Sequence, residues 1–152
     1  MSPLSDQEGF AIAVEEAKIG YEEGGVPIGA ALVSREGKLL GRGHNMRVQK
    51  GSAIHHGETS ALENSGRLPA SAYKGSTMYT TTGACLLYGI SRVVVGENNT
   101  FLGGEAYLKQ RGIEVVNMQS KECQELMERF ISEKPELWNE DIGVEKRVHT
   151  KE

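Results

Sequence analysis

Cysteine is scarce in this chain, with only Cys85 and Cys123 present. Two thiols cannot build the disulfide framework of a small secreted scaffold, and they suit a reducing compartment, so the expected location is cytoplasmic, with the nucleus also open. Long apolar runs are missing as well. No stretch approaches the ~20 residues of a membrane span, and Met1, Ser2 and Pro3 lead into acidic residues rather than a secretory core. No membrane partner is expected. Basic charge is also short: 17 Lys and Arg stand against 21 Asp and Glu, a formal net charge of -4. With both signs interspersed, no broad basic face is available to neutralise a nucleic-acid backbone. A small neutral ligand is the better expectation. There is no internal repeat and no linker. The 152 residues are the size of one domain, read here as 1–143, with a charged tail over 144–152 that frays.

The elements alternate. Ser5 and Glu8 form a capping box, after which Phe10, Val14, Ala17 and Tyr21 recur at helical spacing until Gly24 and Gly25. Ala30 to Ser34 and Lys38 to Gly43 flank Arg35-Glu36-Gly37, which reads as a hairpin whose Gly37 takes a positive backbone angle. A helix follows from about His56 to Asn64, then strands at Thr77 to Thr81, Arg92 to Val95 and Ile113 to Val116. A short helix over Glu105 to Gln110 separates the last two strands. Ser120 caps a helix carrying Leu126, Met127, Phe130 and Ile131 before Pro135, and Trp138 to Ile142 begins a last short element. This order predicts an α/β domain, opened by an antiparallel hairpin and continued in parallel. One join is too short. A parallel crossover needs about a dozen residues, and Thr82 to Ser91 falls below that, so either these two strands pair differently or a helix there shrinks to about one turn at Ala84 to Tyr88.

His56-Gly57-Glu58 is the segment with chemical promise. A neutral imidazole can ligate a metal, and a carboxylate two residues on can reach a metal-bound water. Read alone the triplet is weak, because a capping histidine followed by a first-turn carboxylate arises for structural reasons.

The surrounding text is more specific. Gly24-Gly25-Val26-Pro27-Ile28-Gly29, Gly41-Arg42-Gly43-His44-Asn45-Met46-Arg47, His56-Gly57-Glu58, Leu62-Glu63-Asn64, Tyr79-Thr80-Thr81, Tyr88-Gly89-Ile90, Val94-Val95-Gly96-Glu97-Asn98 and Glu140-Asp141-Ile142-Gly143 together resemble the fungal cytosine deaminases. These belong to the cytidine and deoxycytidylate deaminase superfamily, and the likeness runs from Gln7 to Gly143. It implies a three-layer α/β/α sandwich around a five-stranded mixed sheet, working as a homodimer. It also implies zinc, hydrolysis of cytosine to uracil and ammonia, and a place in pyrimidine salvage. By resemblance His56 is the zinc ligand and Glu58 the proton shuttle. Asn45 pairs with the pyrimidine edge, Asp141 lies near the bound base, and Phe101 and Trp138 close over the ring. Without the resemblance, Asn45 reads equally as a turn residue, and Phe101 and Trp138 as core. His44 and His55 take no role from it.

The chain departs from the family at one place. The family's Tyr-Thr-Thr strand is followed by Leu-Ser-Pro-Cys-x-x-Cys, then Thr-Gly-Ala, whereas here Thr81 runs straight into Thr82-Gly83-Ala84. About seven residues that carry both thiolate ligands of the signature are absent. Cys85 lies six residues after Tyr79, but its neighbours match the stretch beyond the motif. Tyr88 stands where a second thiolate would fall. Cys123 reads as helix packing. A poor deaminase is expected, with a zinc-poor binding or dimer-partner protein of the same fold as the second reading.

Overall fold

A computed structural model describes residues 2–51, 56–82, 90–100 and 105–141. The first helix, α1 (Asp6–Glu22), begins on the anticipated capping box, with Ser5 Oγ accepting from Glu8 N and Glu8 Oε1 from Ser5 N. Its buried face is made of small residues, Gly9, Ala13, Ala17 and Gly20 among them, while Phe10 and Tyr21 are only half-buried. Small side chains bring the helix backbone close to the sheet: a methyl group on Gly29 would fall 2.1 Å from the Ala13 carbonyl oxygen.

β1 (Gly29–Val33) and β2 (Leu39–His44) form the antiparallel hairpin, turning on Gly37 at φ 88°. β1 also pairs antiparallel with β3 (Thr77–Thr82), which runs parallel to β4 (Arg92–Glu97), and β4 runs parallel to β5 (Glu114–Asn117). The sheet order is β2-β1-β3-β4-β5, a five-stranded mixed sheet as expected. Between β2 and β3 lie α2 (Arg47–Lys50), α3 (Gly57–Asn64) and α4 (Ala70–Tyr73). α5 (Glu105–Gln110) precedes β5, and α6 (Lys121–Glu133) and α7 (Pro135–Asp141) end the described chain. α2 and α4 were not foreseen, each being a single turn too short to show a period. α7 starts earlier than the sequence suggested, because Pro135 opens it; proline suits the first helical position, where its missing N–H leaves no bond unmade.

Strand alternation divides the core in two. One face carries Ala30, Leu32, Met78, Val93 and Val95, packed with Ala61 of α3 and Leu108 of α5. The other carries Ala31, Val33, Tyr79 and Val94, packed with Ala13 of α1. α6 lies on this second face, since a methyl group on Gly96 would meet Cys123 Sγ and the Phe10 ring together. Helices therefore cover both faces, the α/β/α layering read from the sequence. The one-turn helix expected at Ala84 to Tyr88 and the tail over 144–152 fall outside the described residues.

Candidate active site

The site is assembled around Ile28, in the extended segment that feeds β1. Ile28 O accepts a 2.8 Å hydrogen bond from Asn45 N, just beyond the end of β2. On its other side Ile28 meets α3, where a methyl group on Gly57 would sit 3.3 Å from the Ile28 carbonyl oxygen and 3.4 Å from its side chain. Trp138 of α7 packs in one cluster with Ile28, Val26, Met127 and Phe130. Asn45 N and Gly57 thus both meet Ile28, and Trp138 belongs to the same apolar cluster as Ile28, although the sequence separates them widely.

Each is held for a local reason. Asn45 is fully buried, and its Oδ1 accepts from Arg47 N at 3.0 Å, which turns the chain out of β2 into α2. His56 is the N-cap of α3, in extended conformation, and its carbonyl accepts from Ser60 N and Thr59 Oγ1. Glu58 is half-buried in the first turn, where the helix dipole favours a carboxylate. Trp138 is 1 % exposed. Asp141 ends α7, with its side chain outside the described residues, as is the whole of Phe101. Asn45 and the Gly57 turn that carries His56 and Glu58 thus lie beside Ile28, with Trp138 in the Ile28 cluster, whereas Phe101 and the Asp141 carboxylate fall outside the described residues.

Sequence reasoning missed three parts of this neighbourhood. His44 was given no role, yet its Nδ1 lies 2.7 Å from Glu16 Oε1 and its Nε2 2.8 Å from Glu23 Oε1. Arg42 joins the same cluster, with Nε donating to Glu16 Oε2 at 2.7 Å and its guanidinium also meeting Glu15. Hydrogen bonds from Gln49 and then His44 hold the Glu23 carboxyl below its usual range. The cluster clamps the end of β2 to α1 immediately before Asn45. Second, Thr81 Oγ1 accepts from Gly29 N across the β1–β3 junction. Third, Thr82 and Glu97 stand in register at the carboxyl ends of the parallel pair, on the α3 face. Glu97 is fully buried and its oxygens accept from Thr100 N and Oγ1, whereas Thr82 Oγ1 is buried without a partner. Open α/β sheets take ligands beyond the carboxyl ends of their strands. The Tyr79-Thr80-Thr81 and Val94-Val95-Gly96-Glu97-Asn98 text hinted at this region without giving either residue a role.

A cleft of about 470 Å³ also opens along the edge of β2, between Arg42, His44 and Lys50 on one side and Ser60 and Glu63 of α3 on the other. It is separate from the Ile28 cluster.

An α/β/α sheet with a histidine-capped helix on one face, an H-x-E turn and a buried amide beside it defines the nucleobase deaminase class of architecture. The comparisons agree. Residues 4–98 match the cytidine and deoxycytidylate deaminase zinc-binding region, and the chain belongs to that family. The cytosine deaminase of Candida albicans is 55% identical over 147 residues, spanning 92% of this chain and 98% of that one. Among solved structures, a guanine deaminase from Nitrosomonas europaea superposes with a TM-score of 0.67 at 17% identity, covering 87% of each chain. A tRNA:A34 deaminase does so with a TM-score of 0.65 at 22% identity, covering 79% of this chain and 99% of the other. These last two likenesses concern the fold.

The family implies zinc, and the donors here do not fit it. A catalytic zinc takes three protein ligands plus a water, with Zn–N near ~2.0 Å and Zn–S near ~2.3 Å. His56 caps α3 on one face of the sheet, whereas Cys123 sits in α6 on the other. The Cys123 side chain is buried and free, and burial pushes its thiol up to about 11. Among the described residues no three His, Cys, Asp or Glu side chains are grouped to hold a metal. The chain's only other thiol, Cys85, lies outside those residues.

Proposed function

We propose that the site takes free cytosine, and that hydrolytic deamination of cytosine to uracil and ammonia, in pyrimidine salvage, is the reaction it is organised for. The observation that carries this is the 55% identity to a cytosine deaminase along 92% of the chain. The approach of Asn45 and of the Gly57 turn to Ile28, with Trp138 in the same apolar cluster, supports it from the structure. In this reading the Asn45 amide bonds the pyrimidine edge, Trp138 and Phe101 close over the ring, and the Asp141 carboxylate faces the base. In the reaction of this family Glu58 would be the proton carrier, accepting a proton from the attacking water and delivering it to the ring and then to the departing ammonia. The overall exchange consumes one water and releases one ammonia. His56 is the metal-side residue of the family's site. The working unit is a homodimer in the cytoplasm, and neither nucleic acid nor membrane is a partner. No helix among the described residues is long and apolar enough to cross a membrane.

Calorimetric titration with cytosine tests the assignment, with cytidine as comparison and Asn45→Ala as control. Cytosine binds, and Asn45→Ala weakens it by roughly tenfold to a hundredfold, the loss of one or two buried hydrogen bonds. Saturable cytosine binding untouched by Asn45→Ala would remove the amide from this role, and absence of cytosine binding would remove the assignment itself.

A further inference from the structure

Resting on the cytosine assignment, we infer that this chain holds its pyrimidine without a resident zinc ion, so that cytosine is a retained ligand and not a substrate turned over. Two independent observations converge on it. The first is the layer problem: the sheet separates Cys123 from the helix capped by His56, so the described thiol cannot share a metal with the described imidazole. The second is the thiol content: the sequence holds two cysteines, Cys85 and Cys123, and no Pro-Cys-x-x-Cys segment, so the closely spaced thiolate pair of the zinc-deaminase signature is absent.

Two residues assigned to holding the base keep their supports. Asn45 is fixed by Ile28 and Arg47, and Trp138 by the cluster with Val26, Met127 and Phe130. Without a metal, however, water keeps its ordinary acidity, and a lone carboxylate such as Glu58 generates too little hydroxide to attack the ring. Recognition is kept and hydrolysis is lost.

The test uses the full chain, produced with zinc in the medium and dialysed, beside a second chain in which Leu-Ser-Pro-Cys-Ala-Ala-Cys is inserted between Thr81 and Thr82. Zinc is measured by elemental analysis, cytosine binding by calorimetry and uracil formation by chromatography. The unaltered chain is expected to carry almost no zinc, to bind cytosine and to form no uracil above background. The inserted chain is expected to carry about one zinc and to form uracil. An unaltered chain with about one zinc that forms uracil overturns the inference and leaves the cytosine assignment standing. Cytosine turnover by the inserted chain, with no binding by the unaltered one, overturns the claim of a retained ligand. If neither chain binds or converts cytosine while both unfold cooperatively, the cytosine assignment itself fails. Should the inserted chain not fold, zinc content and cytosine binding of the unaltered chain still decide.

Discussion

Asp6 is bound on three sides, by Tyr79 Oη at 2.7 Å and by the two terminal nitrogens of Arg92 at 2.8 and 2.7 Å. The bonds from Arg92, opposed by partial burial and aided by Tyr79, hold its carboxyl down at about 2. Because the folded value lies below the unfolded value of 3.8, the resulting stability is present above that value and is lost as pH falls through about 2. The side chain is 41% exposed, so solvent screening reduces the contribution to about 1 kcal/mol. Asp6→Asn should therefore lower the urea midpoint by that equivalent at pH 7, and the gap to the parent chain should narrow between pH 4 and pH 2. A gap that stays constant across that range would show the ion pair to be idle. Cys123 gives a second prediction at this scale. With its thiol buried and pushed up to about 11, it should resist iodoacetamide at pH 8 in the native protein and react only in denaturant. Peptide mass spectrometry checks this, and native labelling at the unfolded rate would contradict the placement. Single residues were unevenly legible. Asn45 and His56 could be found because the family's words around them carry polar side chains with a chemical role, whereas Ile28, though inside the same kind of text, could not, since an isoleucine next to a strand carries no sign that Asn45 and the first turn of α3 will meet on it.

The packing of α3 on β2 sets the position of His56 and Glu58. Gly41 and Gly43 face that helix, and a methyl group on Gly43 would lie 2.8 Å from the Ser60 carbonyl carbon and 2.9 Å from Ala61 N. These are backbone atoms and cannot rotate away. Gly43→Ala is expected to destabilise the fold by about 1–3 kcal/mol, as overpacking does, and to weaken cytosine binding by pushing the helix off the sheet. Thermal unfolding and calorimetry on the same variant check both halves; a lowered Tm with unchanged cytosine affinity would mean that α3 does not position the site. In sequence these glycines look like poor strand formers, because their reason lies in another element. α1 shows the opposite case, its boundaries visible from a capping box but its buried stripe displaced toward small residues. Periodicity reports which side is apolar; how closely the backbone approaches is decided by side-chain volume, and here glycine and alanine win.

At the scale of the whole molecule, the order of helices and strands was enough to foresee a mixed sheet covered on both faces, because a parallel pair must be joined by covered crossovers. The layer assignment of α6 was not readable, since a C-terminal helix can return to either face, although Cys123 was already legible as a packing residue. The ligand's influence on the entire fold supplies the last prediction. A ligand that binds only the native state stabilises it by mass action, about 2.7 kcal/mol at a hundredfold excess over Kd. For a domain of this length each kcal/mol raises Tm by roughly 2–4 °C, so cytosine at that excess should raise it by about 5–10 °C. Cytosine is neutral at pH 7, so the shift should barely change between low and high salt, in contrast to an anionic ligand steered by charge. Zinc at the same molar excess should give no comparable shift, because among the described residues no three His, Cys, Asp or Glu side chains are grouped to hold it. A rise with zinc alone that matches or exceeds the cytosine shift would mean that the native state closes a metal site, and the division between retained recognition and lost hydrolysis would no longer hold.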